Sequence, residues 1–130
     1  ASGPVVPEAI AAAAGLEREG VATLVVDVTS SDRLFRGWRN AQKRAVRSGT
    51  RVRDDHHLAS VLAPDERRVP IVTVHDAASH HLAWLGGVYG ARTVPVGVDR
   101  FGQSGTIADL YGMFGLLPDQ IVNAGLAALD

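Results

Sequence analysis

Cysteine is absent from this chain of 130 residues. That excludes a disulfide framework, a thiolate nucleophile and a zinc site built on sulfur, and it fits a reducing, cytoplasmic setting. A charge excess of either sign is also missing: 13 Lys and Arg stand against 14 Asp and Glu, a net −1. With no global field to draw in nucleic acid or an anionic membrane, any such partner must be won by a local patch. No apolar run approaches the roughly 20 residues of a spanning helix, and no basic stretch followed by an apolar one opens the chain. The sequence therefore reads as a soluble domain. Aromatic residues make up only 5% of it, which leaves few platforms on which bases would stack.

What is present is an alternation of helical and strand patterns. Val6, Ala9, Ile10, Ala13 and Leu16 recur at helical spacing and predict a helix over Pro7 to Arg18. Ala22 to Val28 (ATLVVDV) is a nearly continuous apolar run between Gly20 and Thr29-Ser30-Ser31, the pattern of a strand buried on both faces. Asp32 then caps a helix to about Arg47, with Leu34, Phe35, Trp38, Ala41 and Ala45 as its inward stripe. Its other face is basic, carrying Arg33, Arg36, Arg39, Lys43, Arg44 and Arg47. A solvated face is the plain reading of such a stripe, contact with an acidic partner the sharper one, and no recognition motif for nucleic acid accompanies it.

Beyond the turn at Ser48-Gly49-Thr50, a short helix is expected over His56 to Leu62, a strand over Pro70 to His75 and a helix over Ala77 to Tyr89. Arg92 to Val98 is the next strand, with Pro95 marking it as an edge. Helices over Thr106 to Phe114 and Pro118 to Leu129 close the chain. Trp84, Leu85, Tyr89, Tyr111 and Phe114 read as core or interface. Strands alternating with helices imply parallel strands joined by right-handed crossovers. Three strands make a thin sheet, and Ala1-Ser2-Gly3-Pro4 looks like the exit turn of a further strand. The expectation is one domain over residues 1–130 that lacks its first strand and is part of a larger protein.

In such sheets ligand and partner sites gather at the carboxyl ends of strands. His75 and Asp76 end one strand and His80 and His81 open the next helix. Their spacing fits no zinc motif, and helical neighbours point about 100° apart, so two adjacent rings do not easily share an ion. Strand-end hydrogen bonding to the next helix or partner contact is left for His75, Asp76 and His80, with one of His80 and His81 exposed. The turn from Asp99 to Gly105 ends another strand. Gly102-Gln103-Ser104-Gly105-Thr106 has the outline of a nucleophile elbow, but Thr106 stands where glycine is needed and no histidine follows His81. It lacks the lysine of a P-loop as well. An anion cradle using the Gly102 to Thr106 turn is the alternative to a plain turn in which Ser104 or Thr106 caps a helix.

The segment Val94 to Phe114, with Asp99-Arg100-Phe101-Gly102-Gln103-Ser104-Gly105, Leu110-Tyr111 and Phe114-Gly115, resembles the carboxyl-terminal domain of transketolase-like thiamine diphosphate enzymes. Val26-Asp27-Val28-Thr29-Ser30, Asp32-Arg33-Leu34-Phe35 and His75-Asp76 leading to Leu82-Ala83-Trp84-Leu85-Gly86 are similar to the homodimeric first component of pyruvate dehydrogenase more than to transketolase proper. The resemblance implies an α/β fold, a three-layer α/β/α sandwich on a mostly parallel sheet with the strand before the first helix at its centre. It implies a parent enzyme that uses thiamine diphosphate and magnesium, held by preceding domains and not by this one. The partners it implies are those domains, a second subunit and a multienzyme-complex core, with no nucleic acid and no membrane. No residue here takes a catalytic, cofactor or metal role on that reading. Asp99, Phe101, Gly102, Ser104, Gly105, His75, Asp76 and His80 are left as candidate interface or anion contacts.

Overall fold

A computed structural model describes residues 1–100 and 102–129. They divide into two compact units, Ala1–Thr29 with Pro70–Asp130, and Ser30–Val69.

The first unit begins with a single 3-10 turn, Gly3–Val5, running into α1, Val6–Arg18. Pro7 sits where its missing amide costs nothing, because the first helical amides have no intrahelical acceptor. Of the predicted stripe, Ala9 and Leu16 are buried together with Ala12, whereas Ile10 is exposed. Strand β1, Ile71–Val74, pairs in parallel with β2, Thr93–Val96, in the register Ile71 to Thr93 through Val74 to Val96. Between them lie α4, His80–Ala83, and α5, Leu85–Tyr89. The single helix expected over Ala77 to Tyr89 thus starts later and divides at Trp84. The chain closes with α6, Ile107–Phe114, and α7, Pro118–Leu129.

Packing follows apolar content. Helix α7 lies on α1 and on both strands, and α4 also contacts both strands. Val5, Ala12, Val74, Leu116 and Ile121 form the buried centre, with Val72, Val96, Tyr111 and Phe114 packed around it. Close approach of α1 and α7 requires Gly125, where an added Cβ would meet the Leu16 methyls at 2.9 and 3.0 Å.

The expected strand over Ala22 to Val28 is not one. Residues 22–28 carry no strand assignment, Leu24 is 60% exposed, and only Val28 is buried. Its end shows why. The Ala1 amino group donates to the Val26 carbonyl at 2.9 Å and the Val28 amide donates to the Ala1 carbonyl at 2.8 Å. On the other side the Ser2 amide donates to the Val74 carbonyl at 3.0 Å, making a parallel bridge between Ser2 and His75. Ala1 and Ser2 therefore occupy a strand position between the 22–28 segment and β1, for two residues only. A strand is defined by its partners, and among the described residues this one has no ladder before Val26. The sheet consequently counts two strands among the described residues, against the three expected from the sequence, and the α/β class with parallel pairing stands.

The second unit holds α2, Ser31–Ser48, and α3, His57–Val61, which pack on each other. Ala41 and Ala45 are buried, and Phe35 meets Trp38 edge to face at 5.9 Å. Helix α2 ends at Gly49, whose φ of 61° is the left-handed conformation that glycine adopts without penalty. Arg67 fastens the chain that follows α3: its guanidinium donates to the Leu62 and Ala59 carbonyls and pairs with Asp54 at 2.8 Å.

Candidate functional site at the strand ends

Both strands of the first unit run in one direction, so their carboxyl ends deliver His75 to Ala78 and Gly97 to Arg100 to one place. These segments line an open cleft of about 340 Å³ formed by Asp76, Ala77, Ala78, His80, Val98, Asp99 and Arg100. Two hydrogen bonds hold its walls together. The Val98 amide donates to the Ala77 carbonyl at 2.8 Å, and the Ser79 amide donates to Asp99 Oδ1 at 2.8 Å. That donated bond, supported by the Ser79 hydroxyl and by nearby His80, holds the Asp99 carboxyl below the usual carboxylate range. Gly97 makes the approach possible, because an added Cβ would stand 2.5 Å from the Ala77 carbonyl oxygen and 2.7 Å from Ser79 N and Cα.

Below the cleft floor, His75 Nδ1 lies 3.0 Å from Asp76 Oδ1. The ring atom is buried and lacks hydrogen-bond geometry to any acceptor, so the contact is one of proximity rather than a formed bond. The His75 ring meets the His81 ring edge to face at 5.3 Å. Gly3, at φ 77°, passes so close to Asp76 that a Cβ would meet its Oδ1 at 2.9 Å.

The structure thus gathers His75, Asp76, His80 and Asp99 from the sequence-based set. His80 and His81 are both exposed, so the expectation of one exposed ring is corrected. Asp99 bonds the start of α4, a role for which the sequence pattern points to His75 and Asp76. Gly102, Ser104 and Gly105 are exposed and do not line the cleft. Gly102 takes φ 81°, as a turn glycine must, while a Cβ on Gly105 would find only ordinary contacts. Phe101 lies outside the described residues. Thr106 caps α6: its hydroxyl accepts the Asp109 amide at 3.2 Å and donates to Asp109 Oδ2 at 2.7 Å. The Asp109 carboxylate therefore already sits at the helix opening, where it repels an incoming anion. Gly97 is not among the residues the sequence singles out, although a glycine inside a strand pattern is itself a signal of close backbone approach.

As a holder of thiamine diphosphate the cleft is unsuited. Asp76 and Asp99 on its walls repel a diphosphate, and Arg100 is its one arginine or lysine among the described residues. Among them no group of three His, Asp or Glu is placed to hold a metal ion. The residues do not fit the cofactor with its magnesium. Among them, too, no helix is long and apolar enough to cross a membrane.

The fold and site together define a parallel α/β unit whose strand ends form a small latched cleft. The chain belongs to the transketolase-like C-terminal domain family, whose model it matches over residues 1–117. This places it within a family of thiamine diphosphate-dependent enzymes, as a non-catalytic domain. Neither a curated protein nor a solved structure matches it.

Proposed function

We propose that this domain serves a thiamine diphosphate-dependent 2-oxo acid dehydrogenase of the pyruvate dehydrogenase kind, supporting its dimer and joining the cofactor-binding domains that precede it. The observation that carries the joining role is the parallel position taken by Ala1 and Ser2 between Val26–Val28 and β1. Continued toward Leu24 on one side and Ile71 on the other, that position is a slot for an extended segment. In a parallel ladder, alternate residues bond to opposite sides. Ile71 and His75 donate to Arg92 and Val96 of the β2 side, which turns the Val72 amide and carbonyl toward the slot. A strand entering in line with Ala1 pairs with both walls and covers Leu24. Such a strand ties this domain to whatever lies upstream of it by main-chain hydrogen bonds to both walls. The substrate preference for pyruvate rests on the sequence resemblance, and a cytoplasmic setting belongs to the same reading.

Two measurements test this. The purified chain, given thiamine diphosphate, magnesium and pyruvate, yields no turnover; a robust rate overturns the accessory role. Extending the chain upstream of Ala1 by an apolar strand of about six residues slows hydrogen exchange at Leu24, Val26 and Val72. Unchanged exchange at all three overturns the slot.

A further inference from the structure

Charge is unevenly shared between the two units. Ser30–Val69 holds ten Lys and Arg against five Asp and Glu, whereas the remainder holds three against nine. Near-neutrality of the whole chain conceals a net +5 in one unit and −6 in the other. On α2, at 100° per residue, Arg33, Arg36, Arg39, Lys43, Arg44 and Arg47 fall within an arc of about 140°. All six are exposed. Arg36 pairs with Asp32 and Arg44 with Asp55, and Arg39 donates to Gln42. Arg33, Lys43 and Arg47 form no ion pair among the described residues, and Arg51 and Arg53 add to the excess just beyond the helix.

We infer that this face of α2 is a docking surface for an acidic polypeptide segment. Charge complementarity requires an anionic occupant, and three observations favour carboxylates on a peptide. Arg36, Arg44 and Arg67 of this unit each pair with an aspartate through one guanidinium nitrogen, so arginines here already meet carboxylates, and Arg36 and Arg44 keep donors for more. Val46, 83% exposed, lies at the border of the cationic arc one turn from Lys43, with Val52 exposed farther along, and an apolar spot near cations suits a side chain flanked by Asp or Glu. Phe35 and Trp38 are half-buried and turned on each other, so the face offers no aromatic platform for stacked bases. The 18 residues of α2 span about 27 Å, matched by an acidic helix of similar length or a shorter extended peptide.

The test uses the whole chain and a fluorescein-labelled poly-glutamate peptide of about 20 residues, followed by anisotropy. Binding is expected at low salt and weakens as salt rises. The double variant Lys43→Glu/Arg47→Glu loses about tenfold or more in affinity, while Arg18→Glu on α1 leaves it within about twofold. Circular dichroism and thermal melting confirm that the variants fold. Should the reversal disturb the helix, Arg33→Gln/Lys43→Gln/Arg47→Gln reads the same loss with a milder change. Absence of binding at low salt, or affinity untouched by these variants, overturns the proposal. So does tighter binding of single-stranded DNA or of phosphatidylserine vesicles at the same ionic strength, since either assigns the face to a different class of partner.

Discussion

Replacing Gly97 by alanine probes the latch on which the strand-end cleft depends. The residue has no positive φ, so alanine is conformationally acceptable and the whole cost is one of space. The new methyl would stand 2.5 Å from the Ala77 carbonyl oxygen, where ordinary contact begins at 3.4 Å. A displacement of about 0.9 Å is therefore demanded of backbone, not of a pliant side chain, and overpacking of that kind costs about 1–3 kcal/mol. That carbonyl also accepts the Val98 amide, and the displaced Ser79 amide donates to Asp99, so weakening the two bonds adds about 1 kcal/mol. Reduced freedom of the unfolded chain returns about 0.4–1 kcal/mol. The net loss is about 1–3.6 kcal/mol. At an unfolding entropy of about 2.1 cal/mol/K per residue, this lowers the melting temperature by roughly 4–13 °C. Gly87→Ala is the matched control: it lies in α5 with nothing within 4 Å of its added Cβ, and should gain about 0.5–1 kcal/mol. Differential scanning calorimetry compares the two. A Gly97→Ala protein that melts within about 2 °C of the parent refutes the close-approach argument.

Other perturbations report on separate parts of the molecule. Leu82→Ala removes a side chain that is 1% exposed and should cost about 2–5 kcal/mol, measured by urea unfolding with an unchanged m-value. Arg67→Ala strips the charge-assisted bonds to Asp54 and to two carbonyls at the end of α3; a loss of about 1.5–3 kcal/mol is expected, with faster hydrogen exchange in α3.

Much of the architecture was legible because it is local. The helices were marked by apolar periodicity, the αL glycine at the end of α2 by Gly49, and the α6 cap by Thr106. The two paired strands were marked by valine-rich runs of the right length. Residues 22–28 show where this reading stops: their composition reports a buried environment, but ladder pairing is a property of neighbours, and Ala1 and Ser2 supply it for two residues only. The cleft divided in the same way. His75, Asp76 and Asp99 were found from their position at strand ends, whereas the Ser79 to Asp99 bond joins residues 20 apart and has no local signature. Ser104 draws attention through its glycine neighbours, yet among the described residues of that turn Gly102, Ser104 and Gly105 do not line the cleft.

The uneven division of charge also bears on handling the protein. At the pH where its total charge vanishes, this chain still offers a cationic surface and separate anionic groups. It should accordingly be retained on both sulfonate and quaternary-amine resins near its isoelectric point, and be released from either by modest salt. Solubility there would rest on ionic strength rather than on pH, because what must be screened is attraction between unlike regions of different molecules.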